Sequence, residues 1–158
     1  MSDALIQNRI PSKKFRRPYD EKPIPALRGK AKTKGVQISV YPLPSQKLYL
    51  PDYRKTPDVK PIQIEKEKNL KIKRSADKSY VITGKINVPE TGTYTFSASG
   101  EGAAHLFLHQ ARALAKENQE KPITQTLPME KGIHPVTILS AGPVQIQCKE
   151  LGLDVQFE

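Results

Sequence analysis

The stretch SASGEGAAHLFLHQ, residues 97–110, gathers the side chains of this sequence best suited to hold a ligand. They are the carboxylate of Glu101 in a glycine-rich loop, the imidazoles of His105 and His109, and the amide of Gln110. Such a loop either binds something or merely closes a hairpin. A hard cation such as calcium asks for about six oxygen ligands, and one carboxylate falls short of that unless backbone carbonyls or distant acids join it. His105 and His109 stand four apart. On a strand they share a face roughly 13 Å apart, too far for two imidazoles that must each lie about 2 Å from one metal ion. The third histidine, His134, precedes Pro135 in a hairpin motif and reads as structural. For all three, a solvated or locally bonded ring is expected rather than a ligand.

No other group of residues has the spacing of a catalyst. There is no nucleophile elbow, no metal-ligand spacing, no phosphate-cradling glycine loop, and no pair of acids that sequence alone brings together. Cys148 falls in step with Val144 and Ile146, has no obvious base, and reads as a small apolar core residue. As the one cysteine it excludes an internal disulfide and leaves the compartment open. Aromatic residues make up 6% of the chain and tryptophan is absent, which argues against a surface built on exposed aromatic platforms.

The charge is uneven. The formal net charge is +10, and residues 1–35 hold ten Lys or Arg against three acids. That segment also contains Pro11, Pro18, Pro23 and Pro25, shows no period of two or of about 3.6, and is poor in apolar residues. It reads as a Pro-rich basic arm. Lys13, Lys14, Arg16, Arg17, Arg28, Lys30, Lys32 and Lys34 are its candidate contacts to a polyanion, each releasing counterions where it meets a phosphate. A linker kept solvated by its charges is the plainer alternative. No run approaches the roughly 20 apolar residues of a membrane span, and the N-terminal residues lack the apolar stretch of a signal peptide. A role outside the cell therefore implies an export signal on a longer precursor.

These candidates need elements to position them, and from Val36 onward the sequence alternates. VQISVY puts Val36, Ile38 and Val40 on one side, and SYVITGKI does so with Tyr80, Ile82, Gly84 and Ile86. Tyr94, Phe96 and Ala98 follow, then Leu106 with Leu108, then Val144, Ile146 and Cys148, then Leu153, Val155 and Phe157. A period of two marks strands with one buried face. Turn signals separate the runs at PETG (89–92), EKG (130–132), AGP (141–143) and LG (151–152). Many short hairpin-linked strands predict an all-β antiparallel β-sandwich, residues 36–158, behind the arm of residues 1–35. The helical candidate is HQARALAKENQEK, residues 109–121, which has one large apolar residue and reads as a loop with one or two turns of helix at most. EKEKNLKIKR, residues 65–74, reads as a solvated edge strand, with a basic docking surface as the alternative, and the five prolines of residues 42–61 predict a chain extended over the surface.

The ordered motifs YLPDYRKTP, YVITGKINVPETGTYTFSASGEGAAHLFLH and LPMEKGIHPVTI resemble those of the PA-fourteen domain, the β-sandwich named after the anthrax toxin protective antigen. The resemblance covers residues 36–157. It implies a module of glycosidases, sulfatases, adhesins or toxins that commonly contacts carbohydrate. In its sugar-binding members the loop after the Tyr-x-Phe strand carries two adjacent aspartates that hold calcium. Here that loop reads SGEG, with Gly100 and Glu101 in their place, and LFLHQ stands where the family often has Leu-Tyr-Ile-Asp-Gly. The resemblance thus implies a calcium loop stripped of most of its ligands, with Glu101, His105, His109 and Gln110 as the remaining ligand-binding candidates and no cofactor. The expected function is a non-catalytic accessory or carbohydrate-binding-type module, the C-terminal domain of a larger envelope, periplasmic or secreted carbohydrate-active protein. Its partner would be a glycan or a neighbouring catalytic domain. The alternative is a free-standing interaction protein whose arm binds nucleic acid or an acidic partner.

Overall fold

Strands that alternate must bury one face against another layer, and they do so here as two facing sheets. The computed structural model describes residues 23–27, 35–43, 53–55, 59–117 and 121–158. Among these, eleven strands are found: β1 (Val36–Pro42), β2 (Gln63–Glu67), β3 (Lys71–Arg74), β4 (Lys78–Val88), β5 (Gly92–Ser99), β6 (Ala103–Leu108), β7 (Ala111–Lys116), β8 (Ile123–Met129), β9 (Gly132–Ala141), β10 (Val144–Cys148) and β11 (Leu153–Phe157). One sheet has the order β2-β1-β4-β9-β6-β7 and the other β3-β11-β10-β5-β8. Every pairing is antiparallel except that of β11 with β3. The expected β-sandwich is therefore present.

The residues that alternate in sequence meet between the sheets. Ile38, Ile82, Leu106 and Ile138 from the six-stranded sheet pack on Phe96, Ile146, Leu153 and Val155 from the other, all but closed to solvent. Tyr80 stacks on Phe157 with ring centroids 4.6 Å apart, and its hydroxyl donates to the Ser75 carbonyl, so its one polar atom is satisfied. Cys148 is buried as expected, and burial pushes its thiol up to about 11, so it stays protonated and inert at neutral pH.

Two segments differ from the sequence expectation. Residues 65–74 form two strands rather than one: β2 edges the six-stranded sheet and β3 edges the five-stranded one. The turn between them is fixed by Asn69, whose side-chain oxygen accepts the Lys71 N–H. Arg74 then reaches back across the sandwich to Glu65 and Glu67, so the charge alternation joins two edges. Residues 111–116 form a strand and not a loop with helical turns, because β7 hairpins onto β6 and buries Leu114. Of residues 42–61, 44–52 and 56–58 lie outside the described residues. Tyr53–Lys55 form a 3-10 turn that sets the Arg54 guanidinium 4.2 Å from the Phe107 ring centroid, on the outer face of the six-stranded sheet.

Candidate functional site

β5 and β6 lie in different sheets, so the loop joining them must cross one end of the sandwich. Gly100 adopts φ +107°, and a β-carbon there would sit 2.7 Å from the Pro143 carbonyl oxygen. At Gly102 a β-carbon would sit 2.4 Å from the Ala141 oxygen, and its N–H donates to Pro143 at 2.7 Å. The glycines are thus needed for close approach to the β9–β10 turn. Lys116 is wholly buried, and its ammonium donates to the Gly102 carbonyl at 2.9 Å and to that of Glu117 at 3.2 Å. Backbone contacts and a cationic side chain fix the loop.

Beside the loop lies a hollow of about 410 Å³, edged by Ser99, Glu101, Gln145 and Gln156 over a largely apolar lining that includes Pro143 and Val144. Asp154 accepts from the Gln145 and Gln156 amides at 2.9 and 3.2 Å, which orients both. Glu101 is exposed at the rim. The residues do not fit a calcium ion: among the described residues no three His, Cys, Asp or Glu side chains cluster so as to hold a metal. Asp154 is engaged by two amides, and Glu101 offers one exposed carboxylate.

The other sequence candidates lie elsewhere. His105 is partly buried on the outer face of the six-stranded sheet, its Nε2 3.1 Å from Glu117. His109 does not share that face. It directly follows β6 with φ +59°, which breaks the alternation and turns the ring toward His134. There its Nε2 lies 2.9 Å from Nδ1 of His134, and Nε2 of His134 donates to the Glu130 carbonyl at 2.7 Å. His134 is completely buried, so its expected structural role holds. Its Nε2–H leaves Nδ1 to accept, which makes His109 the donor within the pair. Desolvation, then the neighbouring His134 ring, lowers the pKa of His109. Gln110 is exposed in the following turn. The four candidates therefore do not converge: Glu101 marks one end of the sandwich, His109 and Gln110 the other.

That second end carries part of the predicted arm. Residues 24–27 run beside the β8–β9 turn, with Ile24 N–H donating to Pro128, Glu130 N–H to Ile24 and Leu27 N–H to Ile133. The Glu130 carboxylate accepts the Ala26 N–H at 3.0 Å. Lys13, Lys14, Arg16, Arg17, Arg28, Lys30, Lys32 and Lys34 lie outside the described residues.

Sequence reasoning missed Lys116, Gln145 and Gln156. The alternation that made Leu114 a core residue would have turned Lys116 inward too, had residues 111–116 been read as a strand.

Residues 35–138 match the family model of the PA14 domain. The chain belongs to the PA14 domain family. Among solved structures, the epithelial adhesin 9 A domain of Candida glabrata, in complex with Galb1-3GlcNAc, matches with TM-score 0.58 and 11% identity over 87% of this chain and 94% of that one. The β-glucosidase of Kluyveromyces marxianus, in complex with glucose, matches with TM-score 0.52 and 17% identity over 72% of this chain. This PA14 chain spans 16% of that enzyme. At these identities the likeness is one of fold. Among curated proteins, none matches the chain.

Proposed function

We propose that this PA14 domain is a non-catalytic, carbohydrate-contacting accessory module of a larger envelope or secreted carbohydrate-active protein. It would touch glycan, or a neighbouring catalytic domain, with the hollow beside Gly100–Gly102. The observation that carries the reading is a hollow beside a backbone-locked loop, with carboxylates and amides at its edge and a largely apolar lining that includes Pro143 and Val144. Its carboxylates accept and its amides both accept and donate, which suits the hydroxyls of a sugar. With no ion cage to grip those hydroxyls, packing against a partner domain ranks ahead of strong autonomous binding.

A glycan array probed with the whole chain, with and without chelator, tests this. Binding that is weak, indifferent to chelator and reduced by Glu101→Ala is expected. Calcium-dependent binding, or turnover of an arrayed glycan, would overturn it.

A further inference from the structure

The two outer faces of the sandwich differ in charge. On the five-stranded sheet, Asp154 stands in the row with Lys71 and Gln147. On the six-stranded sheet, the strand positions facing away from the core include no Asp or Glu, although Glu117, just beyond β7, lies 3.1 Å from His105 on this face. Register follows from pairing: Ile38, Ile82, Ile138 and Leu106 are one row pointing inward, so their neighbours point outward. One outward row runs Lys66, Gln37, Thr83, Thr137, Phe107, Arg112, a single residue from each of the six strands. The acids of β2, Glu65 and Glu67, have the opposite parity and are taken up by Arg74.

This row lies beside the buried part of the face, where Tyr41, Val81 and Leu139 are covered. Thr83, Lys66 and Arg112 are exposed, and Gln37 and Thr137 are partly so. Lys66 donates to the Gln37 side chain at 2.9 Å, which holds its ammonium along the row. A shallow hollow of about 340 Å³ opens there, lined among others by Gln37, Lys66, Thr83, Lys85 and Thr137. With strands about 4.8 Å apart, Lys66 and Arg112 stand roughly 24 Å apart across five steps. The row is therefore a lane with cations at both ends and, between them, an amide, two hydroxyls and the Phe107 ring capped by Arg54.

We propose that this lane is a second contact surface, separate from the loop-end hollow, and that it docks a stretch of acidic polysaccharide bearing carboxylate or sulfate groups. Charge complementarity argues for the acid: the row itself carries exposed Lys66 and Arg112 and no acid, and the nearby Glu117 is drawn to His105 outside it, so a neutral glycan gains nothing from the row's charge. Phe107 argues against nucleic acid. Single strands are held largely by stacking on aromatic rings, and here the Arg54 guanidinium lies over this one. The choice of a glycan among polyanions rests on the accessory-module reading given above.

The test is a ¹⁵N NMR titration of the whole chain with a heparin hexasaccharide, a neutral hexasaccharide and a single-stranded hexanucleotide. The expected result is amide shifts centred on Gln37, Thr83 and Thr137 with the acidic sugar. The Lys66→Gln, Arg112→Gln double variant should lose about tenfold in affinity for it, while Glu101→Ala should not. Shifts confined to residues 1–34 or to 99–102, equal binding of the neutral sugar, or tighter binding of the oligonucleotide at the lane would each overturn the proposal. Loss of all neutral-glycan binding on the array, with the lane intact, would sink the loop-end reading alone.

Discussion

His109 shows how much one backbone angle decides. Without φ +59° it would stand on the outer face with His105; with it, the ring joins the buried His134 and closes a chain of hydrogen bonds to the Glu130 carbonyl. Glu130 in turn accepts from Ala26, so the pair lies beneath the segment that ties residues 24–27 to the fold. Because desolvation and His134 lower the pKa of His109, the unfolded chain binds a proton more readily than the native one. Stability on this account is full above the unfolded value, about 6.5, and is lost as pH falls from there through the folded one. His109→Asn tolerates the left-handed angle and removes the titration. Melting curves collected between about pH 7 and pH 5 should therefore be flatter for the variant than for the wild type. Equal slopes would show that His109 does not set acid stability.

At the scale of elements, the loop end depends on two chain segments approaching more closely than any side chain permits. Gly102→Ala forces a β-carbon onto the Ala141 carbonyl and should cost about 2 kcal/mol or more in denaturant unfolding. Gly92→Ala, with nothing within 4 Å of the new carbon, should cost less than about 1 kcal/mol. A Gly102 variant as stable as the Gly92 variant would contradict the packing described. The elements that were legible in sequence are those whose apolar residues alternate cleanly, such as Tyr94, Phe96 and Ala98, since burial on one face leaves that trace. β7 left a poor one. In ARALAK the apolar residues are mostly alanine and the buried polar residue is a lysine, so the strand is dictated by its hairpin with β6 rather than by its own pattern. Likewise β2 and β3 share one run of alternating charge. Only the fold shows that Arg74 spans two sheet edges. The loop candidates were legible as residue types, but their separation to opposite ends was not, because it depends on pairing across the chain.

The whole molecule is a PA14 sandwich whose ends and faces differ in chemistry. One end has a hollow edged by Glu101, Gln145 and Gln156 beside a glycine loop; the opposite end is bound by residues 24–27; on one broad face a row of strand positions carries Lys66 and Arg112 with no acid among them. Among the described residues no helix is long and apolar enough to cross a membrane. The loop end is held by chain-to-chain packing and by the Lys116 ammonium, and its described side chains form no cluster of metal ligands. Anything that binds the native state alone raises its melting temperature by mass action, so thermal denaturation in excess calcium and in chelator is the most direct check. The account predicts the same melting temperature in both. A melting temperature that climbs with calcium concentration and falls back in chelator would contradict it.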